Sequence, residues 1–189
     1  MIRALLLPLI IFLLFIIEGT VIPVFSPDSF GSEFLIVPRF AFLVVIMGTI
    51  FLGRTTGTIY GLALGLLQDV IYTHILGIYI FSMGLIAYLL GFCFSFKVFQ
   101  KNLILLMVTA LFGTILLEYL VYGIHTAVGI TDLVHDRFLQ ERIFPSLLVN
   151  SVFLIIFAPF LRKTLVFLQN TGDIEEKISG RKKDFRWQR

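Results

Sequence analysis

The stretch GRTTGTIYGLALGLLQD, residues 53–69, decides the fold. Its glycines recur at every fourth residue, and Asp69 falls on the next step of that spacing. Residues four apart lie on one face of a helix, so the stretch predicts a helix with a bare glycine ridge that ends in a carboxylate. This much glycine weakens a helix in water by about 1 kcal/mol per residue relative to alanine. In a bilayer, small residues let a second helix come close, so we expect this segment to be the central helix of a membrane bundle.

The composition of the whole chain is that of a membrane protein. Of its 189 residues, 58% are hydrophobic and 14% are charged, with a mean hydropathy of +0.99. Soluble domains are about 45–50% apolar. A soluble fold of this chain would have to bury more apolar surface than such domains do. The single cysteine, Cys93, excludes an intramolecular disulfide and any multi-cysteine metal site. Charge is too sparse outside the C-terminal tail to indicate nucleic-acid binding.

Six apolar segments predict a bundle of six transmembrane helices. They cover about residues 4–25, 39–52, 55–72, 75–96, 102–123 and 143–161. The second is short: at 1.5 Å per residue it spans about 21 Å, against a hydrocarbon core of about 30 Å. The polar stretch Thr126–Arg142 is expected to hold a short interfacial helix capped by Thr131 or Asp132. Residues 1–172 are predicted to form the membrane domain, and residues 173–189 a charged cytoplasmic tail.

The basic residues predict the topology. With the N-terminus inside, twelve of the fifteen lysines and arginines fall on the inner side, and only Arg39, Arg137 and Arg142 fall outside. Basic residues are enriched in cytoplasmic segments of membrane proteins. The sequence therefore predicts that both termini are cytoplasmic.

Five glycines are candidates for helix packing or for contact with a partner. Gly57, Gly61 and Gly65 lie on the ridge, while Gly77 and Gly84 are seven residues apart in the fourth predicted span. A spacing of seven places residues along one seam of a helix, where a neighbour can approach. Packing inside the bundle and an exposed ridge that receives a partner's helix are both compatible with this pattern.

Acidic residues inside the apolar segments are the other candidates: Glu18, Asp69 and Glu118. A charge in the membrane is costly, so each is a hypothesis of function. We expect Asp69 with Gln68 to join a polar cluster with Arg39, and Glu118 with His125 to form a second cluster. These clusters are interpreted as fixing the order of the helices. Binding of a ligand or an ion, and contact with a partner inside the membrane, are the alternatives.

The sequence offers no pattern typical of an enzyme. It contains no nucleophile paired with a base, no phosphate-binding loop and no metal-ligand cluster. We therefore expect no catalytic residues, no metal and no cofactor.

The run GLALGLLQDV, residues 61–70, followed by Leu76-Gly77, resembles the bacterial rod shape-determining protein family MreD. The short second span behind Pro38 is similar to that family, as is the pattern of the last span, which contains Pro145, Asn150 and Pro159. The resemblance covers nearly the whole chain. It implies a multi-pass subunit of the bacterial plasma membrane that belongs to the elongasome, the machinery that elongates rod-shaped cells.

The resemblance also implies partners and a fold. The expected partners are MreC first, then MreB, RodA, a class B penicillin-binding protein and membrane lipids, in a scaffold that supports peptidoglycan synthesis. The implied fold is similar to the substrate-binding subunits of energy-coupling-factor vitamin transporters. Because a fold does not determine a function, such a transporter subunit is the alternative. A channel or proton carrier would need polar residues across the full depth of the membrane, whereas the three acids cluster toward one side.

Overall fold

A computed structural model describes residues 2–25, 36–73, 75–94, 97–129 and 135–184, with side chains between residues 5 and 20 and between 36 and 170. All regular structure within these ranges is helical. The elements are α1 (Ile2–Phe25), α2 (Phe40–Leu52), α3 (Arg54–Tyr72), α4 (Ile78–Phe94), α5 (Lys97–Lys101), α6 (Leu103–Ala127), α7 (His135–Arg137), a π-helical turn (Phe138–Ile143) and α8 (Phe144–Asp184).

Within the described residues, two helices are long and apolar enough to cross a membrane, judged by length and composition. They occupy Leu103–Ala127 and His135–Asn170. Shorter apolar helices occupy Leu5–Thr20, Phe40–Leu52 and Ile78–Phe94. Large apolar side chains are exposed along α1, α3, α4, α6 and α8, which is the surface that a bilayer covers in a helical membrane protein.

The helix at the centre of the bundle is α2. Its residues from Phe40 to Phe51 are all buried, and α1, α3, α4, α6 and α8 all contact it. Because α2 is apolar on every side, it can be surrounded by other helices, and these contacts show that it is. The expectation that residues 53–69 form the central helix is wrong, because α3 buries a single face, made of Gly57, Gly61, Leu64, Gly65 and Asp69.

The glycine ridge of α3 packs against α4, backbone to backbone. A Cβ atom added to Gly61 would lie 2.8 Å from the carbonyl oxygen of Met83, and one added to Gly65 would lie 2.5 Å from that of Tyr79 and 2.7 Å from the nitrogen of Ile80. These separations are too short for real carbon atoms. The ridge therefore lies inside the bundle, and only glycine lets these two helices come so close.

The other candidate glycines have three different surroundings. A Cβ atom at Gly57 would overlap the Thr49 side chain of α2, and one at Gly84 would lie 2.5 Å from Cδ2 of Leu62 on α3. Gly77 precedes α4, has a φ of +113° and has nothing within 4 Å of an added Cβ atom. The seam expected to include Gly77 is therefore wrong at that residue: it belongs to a turn that needs the left-handed conformation glycine favours.

Two stretches between the long helices also differ from expectation. Lys97–Lys101 forms the short helix α5 in the gap between the fourth and fifth predicted spans. The proposed caps of a separate interfacial helix, Thr131 and Asp132, lie outside the described residues. From His135 the chain runs through the π-helical turn into α8 as one helix, which continues past residue 172 to Asp184.

Candidate functional site

Charged and polar side chains meet at one end of the bundle, which we call the polar end; they come from α1, the start of α2, α3, α4, α6, the π-helical turn and α8. It contains the start of α2, the turn between α3 and α4, and the junction of the π-helical turn with α8. Its charged members are Glu18, Arg39, Asp69, Glu118 and Arg142.

Arg39 lies at the start of α2 and joins four helices. Only 3% of its surface is exposed. Its Nε donates to Oε1 of Glu118 on α6 at 2.8 Å, and its Nη2 donates to the hydroxyl of Tyr79 on α4 at 3.1 Å. Its backbone N–H donates to Oδ1 of Asn150 on α8 at 3.0 Å. The order of α2, α4, α6 and α8 around this end is thus tied to one arginine.

Glu118 is the carboxylate that the two arginines share. Its Oε2 accepts a hydrogen bond from Nε of Arg142 at 3.0 Å, while its Oε1 accepts the bond from Arg39. The Glu118 side chain is 5% exposed and that of Arg142 is 23% exposed. A buried carboxylate is costly unless charged partners meet it. Arg142 belongs to the π-helical turn, an element that is rare and often found at functional positions.

Glu18 ties α1 to the same end. Its Oε1 accepts a hydrogen bond from the backbone N–H of Ala41 at 2.5 Å. The first N–H groups of a helix lack partners within the helix and attract negative charge, so a carboxylate stabilises the start of α2. Close by, the N–H of Val37 donates to Oγ of Ser146 on α8 at 2.9 Å.

Asp69 caps the start of α4. Its Oδ2 accepts from the N–H groups of Gly77 and Ile80 at 2.9 and 3.0 Å, and its Oδ1 accepts from that of Tyr79 at 3.0 Å. The hydroxyl of Thr73 lies 3.3 Å from the same Oδ1. The carboxylate is fully buried, and the N–H groups around it replace the water that it has lost.

These partners differ from those expected from the sequence. Arg39 pairs with Glu118, whereas Asp69 accepts from backbone N–H groups at the start of α4 and meets Arg39 only through Tyr79. The expected pair of Glu118 with His125 is wrong, because Nδ1 of His125 lies 2.8 Å from the carbonyl oxygen of Val121 in its own helix. Gln68 does approach Arg39, since both line one pocket.

That pocket has a volume of about 140 Å³. Glu18, Arg39, Gln68 and Tyr72 are among the residues that line it. Typical small-molecule sites measure about 300–1,000 Å³, so this one would take only a small group. Among the residues that the structure describes, no three side chains of His, Cys, Asp or Glu come together as a metal site.

Tyr79 is one member of the polar end that sequence reasoning missed. Its hydroxyl accepts from Arg39, and the Arg39 guanidinium carbon lies 5.0 Å from the centre of its ring. A tyrosine within an apolar helix carries no special local signal. Its proximity to an arginine 40 residues away could be found only from the packing of the helices.

Long apolar helices and extensive exposed apolar surface are typical of a helical membrane protein. The chain belongs to the MreD family, because the family model described as rod shape-determining protein MreD matches residues 2–168. The rod shape-determining protein MreD of Bacillus subtilis (strain 168) is 30% identical over 156 residues, which cover 82% of this chain and 90% of that relative. No solved structure matches the chain. The resemblance found in the sequence is thus confirmed at the level of the family.

Proposed function

We propose that this protein is a non-enzymatic scaffold subunit of the cell-elongation complex in the bacterial plasma membrane. In this proposal it binds MreC, regulates cell shape and supports peptidoglycan synthesis. MreB, RodA and a class B penicillin-binding protein are further proposed members of the complex. Family membership supports the role in rod shape; the individual partners are our proposal.

One observation carries the choice of a scaffold over a solute-binding protein: the buried carboxylates at the polar end have hydrogen-bond partners within the bundle. Glu118 accepts from two arginines, and Asp69 accepts from three backbone N–H groups. Groups engaged in this way stabilise one arrangement of helices and leave little binding capacity for a solute. We propose that the polar end fixes the order of the helices and so the surface offered to MreC.

We further propose six membrane spans with both termini in the cytoplasm, in a fold similar to the substrate-binding subunits of energy-coupling-factor transporters. The distribution of charge supports this topology. At the end of the bundle opposite the polar end, which we call the basic end, lie Arg54, Lys97, Lys101, Arg162 and Lys163. Basic residues favour the cytoplasmic side.

Cysteine labelling tests the topology. Cys93 is exposed, so it is first replaced by serine, and single cysteines are then placed at Ser29 and Gly180. An impermeant thiol reagent added to intact cells should label Ser29→Cys and should label Gly180→Cys only after the cells are opened. Labelling of Gly180→Cys in intact cells would overturn the proposed topology.

Affinity purification from native membranes tests the function. The tagged full-length protein should bring down MreC together with RodA and the class B penicillin-binding protein. An unrelated multi-pass protein with the same tag serves as the control. Recovery of ATPase subunits in place of MreC would favour the vitamin-transport alternative.

Depletion in a rod-shaped host separates the same two functions by phenotype. Loss of the protein should make the cells round or swollen, with uptake of vitamins unchanged. A depleted strain that stays rod-shaped but requires a particular vitamin would contradict the scaffold role.

A further inference from the structure

A groove opens at the basic end, between the start of α6 and the part of α8 that follows Pro159. Its volume is about 300 Å³. Leu103, Pro159 and Val166 form its apolar walls, and Arg162 and Lys163 supply its charge. None of the lining residues is acidic within the part of the chain whose side chains the structure describes. The groove therefore combines an apolar surface with net positive charge.

The arginine of the groove is held in place. Nε of Arg162 donates to the carbonyl oxygen of Gln100 at 3.0 Å, and Nη2 donates to that of Lys101 at 2.8 Å. A guanidinium has five N–H donors, so these two bonds leave others for an anion. The side chain of Lys163 is exposed. A preorganised arginine beside an exposed lysine is a favourable pair for a phosphate.

The groove also lies at the start of a long helix. Leu103 is the first residue of α6, a helix of 25 residues. Oδ1 of Asn102 accepts from the N–H groups of Ile104 and Leu105 there, so the positive charge of the groove comes from Arg162 and Lys163. Here the apolar part of the bundle also gives way to the charged end, which is the level at which lipid headgroups lie in a bilayer.

From these features, we propose that the groove binds one anionic phospholipid. The phosphate is met by Arg162 and Lys163, and the first part of an acyl chain packs on Leu103, Pro159 and Val166. The apolar walls select a lipid over free phosphate, because only a lipid buries them. This inference needs the chain to lie in a membrane, but it does not depend on binding of MreC.

The test uses the full-length protein purified in detergent, with bound lipids counted by native mass spectrometry. Dioleoylphosphatidylglycerol should bind with higher occupancy than dioleoylphosphatidylcholine. Lys163→Gln should weaken binding of the anionic lipid about fivefold, which corresponds to about 1 kcal/mol per basic residue at a membrane surface. The matched control is Lys97→Gln, an exposed lysine of the basic end outside the groove, which should leave binding unchanged.

A second variant tests the apolar wall separately. Val166→Trp fills the groove without changing its charge, and it should abolish binding of the lipid while gel-filtration elution stays that of the folded protein. Arg162 is left intact because it also holds two backbone carbonyls.

Four results would overturn the proposal. The first is equal occupancy by the two lipids. The second is equal weakening by Lys97→Gln and Lys163→Gln, which would indicate a diffuse surface charge. The third is binding of inorganic phosphate at the concentration at which the anionic lipid binds. The fourth is unchanged lipid binding by Val166→Trp. Either of the last two would show that the apolar walls contribute nothing.

Discussion

Replacing Glu118 with glutamine should be the most damaging single change of charge at the polar end. The glutamine keeps the size of the side chain but leaves Arg39 and Arg142 without their shared counterion. The unpaired charge costs more at Arg39, because its side chain is only 3% exposed, whereas that of Arg142 is 23% exposed and can turn toward water.

The magnitude follows from the burial of the pair. Removing one partner of a buried ion pair costs about 3–5 kcal/mol in the free energy of unfolding. For a chain of this size, each kcal/mol lowers Tm by about 2–4 °C, so Glu118→Gln should lower Tm by roughly 6–20 °C. The matched control is Arg142→Gln. It removes a partly exposed arginine and leaves Glu118 paired with Arg39, so it should cost about 1 kcal/mol, or about 2–4 °C.

The assay is thermal unfolding of the purified protein in one detergent, followed by the amount of monodisperse protein that remains after heating. The double variant Arg39→Gln/Glu118→Gln should lose less stability than the sum of the two single variants, with a coupling of about 0.5–3 kcal/mol. The reasoning is refuted if Glu118→Gln keeps the Tm of the unchanged protein, or if Arg142→Gln lowers Tm by as much as Glu118→Gln does.

Further changes test the other contacts. Asp69→Asn keeps one acceptor oxygen for the start of α4, so its free energy of unfolding should fall by about 1–2 kcal/mol. Asp69→Leu leaves three N–H groups without an acceptor, so its free energy of unfolding should fall by at least about 3 kcal/mol. Loss of shape function in Asp69→Asn with normal folding would instead indicate a ligand-binding role. Gly65→Leu should reduce the amount of folded protein, since overpacking costs about 1–3 kcal/mol. The control is Gly123→Leu, because a Cβ atom added there meets nothing within 4 Å, and it should leave the amount of folded protein unchanged. Equal amounts of folded Gly65→Leu and Gly123→Leu protein would show that close packing at Gly65 is unimportant. Tyr79→Phe removes one hydrogen bond to Arg39 and should lower Tm by a few degrees. An unchanged Tm would contradict this prediction.

Much of the helical structure could be predicted from the sequence because its signals are local. The apolar run after Arg39 and the turn at Gly53 predict a helix over 39–52, and α2 occupies Phe40–Leu52. The four-residue glycine spacing predicts a helix that another backbone approaches, and α4 does so at Gly61 and Gly65. Spacing and composition determine which segments are helical and which faces permit close contact.

Other features depended on the tertiary structure. The apolar residues of α2 are compatible with a helix at the edge of a bundle, facing lipid, as well as with one at its centre, because both surroundings are apolar. Only the packing of its neighbours placed it at the centre. The turn at Gly77 also became apparent only in the structure. The spacing of seven residues between Gly77 and Gly84 places them on one seam only if a continuous helix joins them, and α4 begins after Gly77.

The sequence by itself determined that this protein has buried carboxylates and arginines that need partners, because isolated charges are costly in an apolar medium. Only the tertiary structure decided which groups meet. Arg39 and Glu118 are 79 residues apart, and their pairing depends on the order and rotation of whole helices. Asp69 lies close to the unpaired N–H groups at the start of α4, which satisfied its charge without an arginine. The need for a partner is a property of each residue, whereas the choice of partner is a property of the assembled bundle.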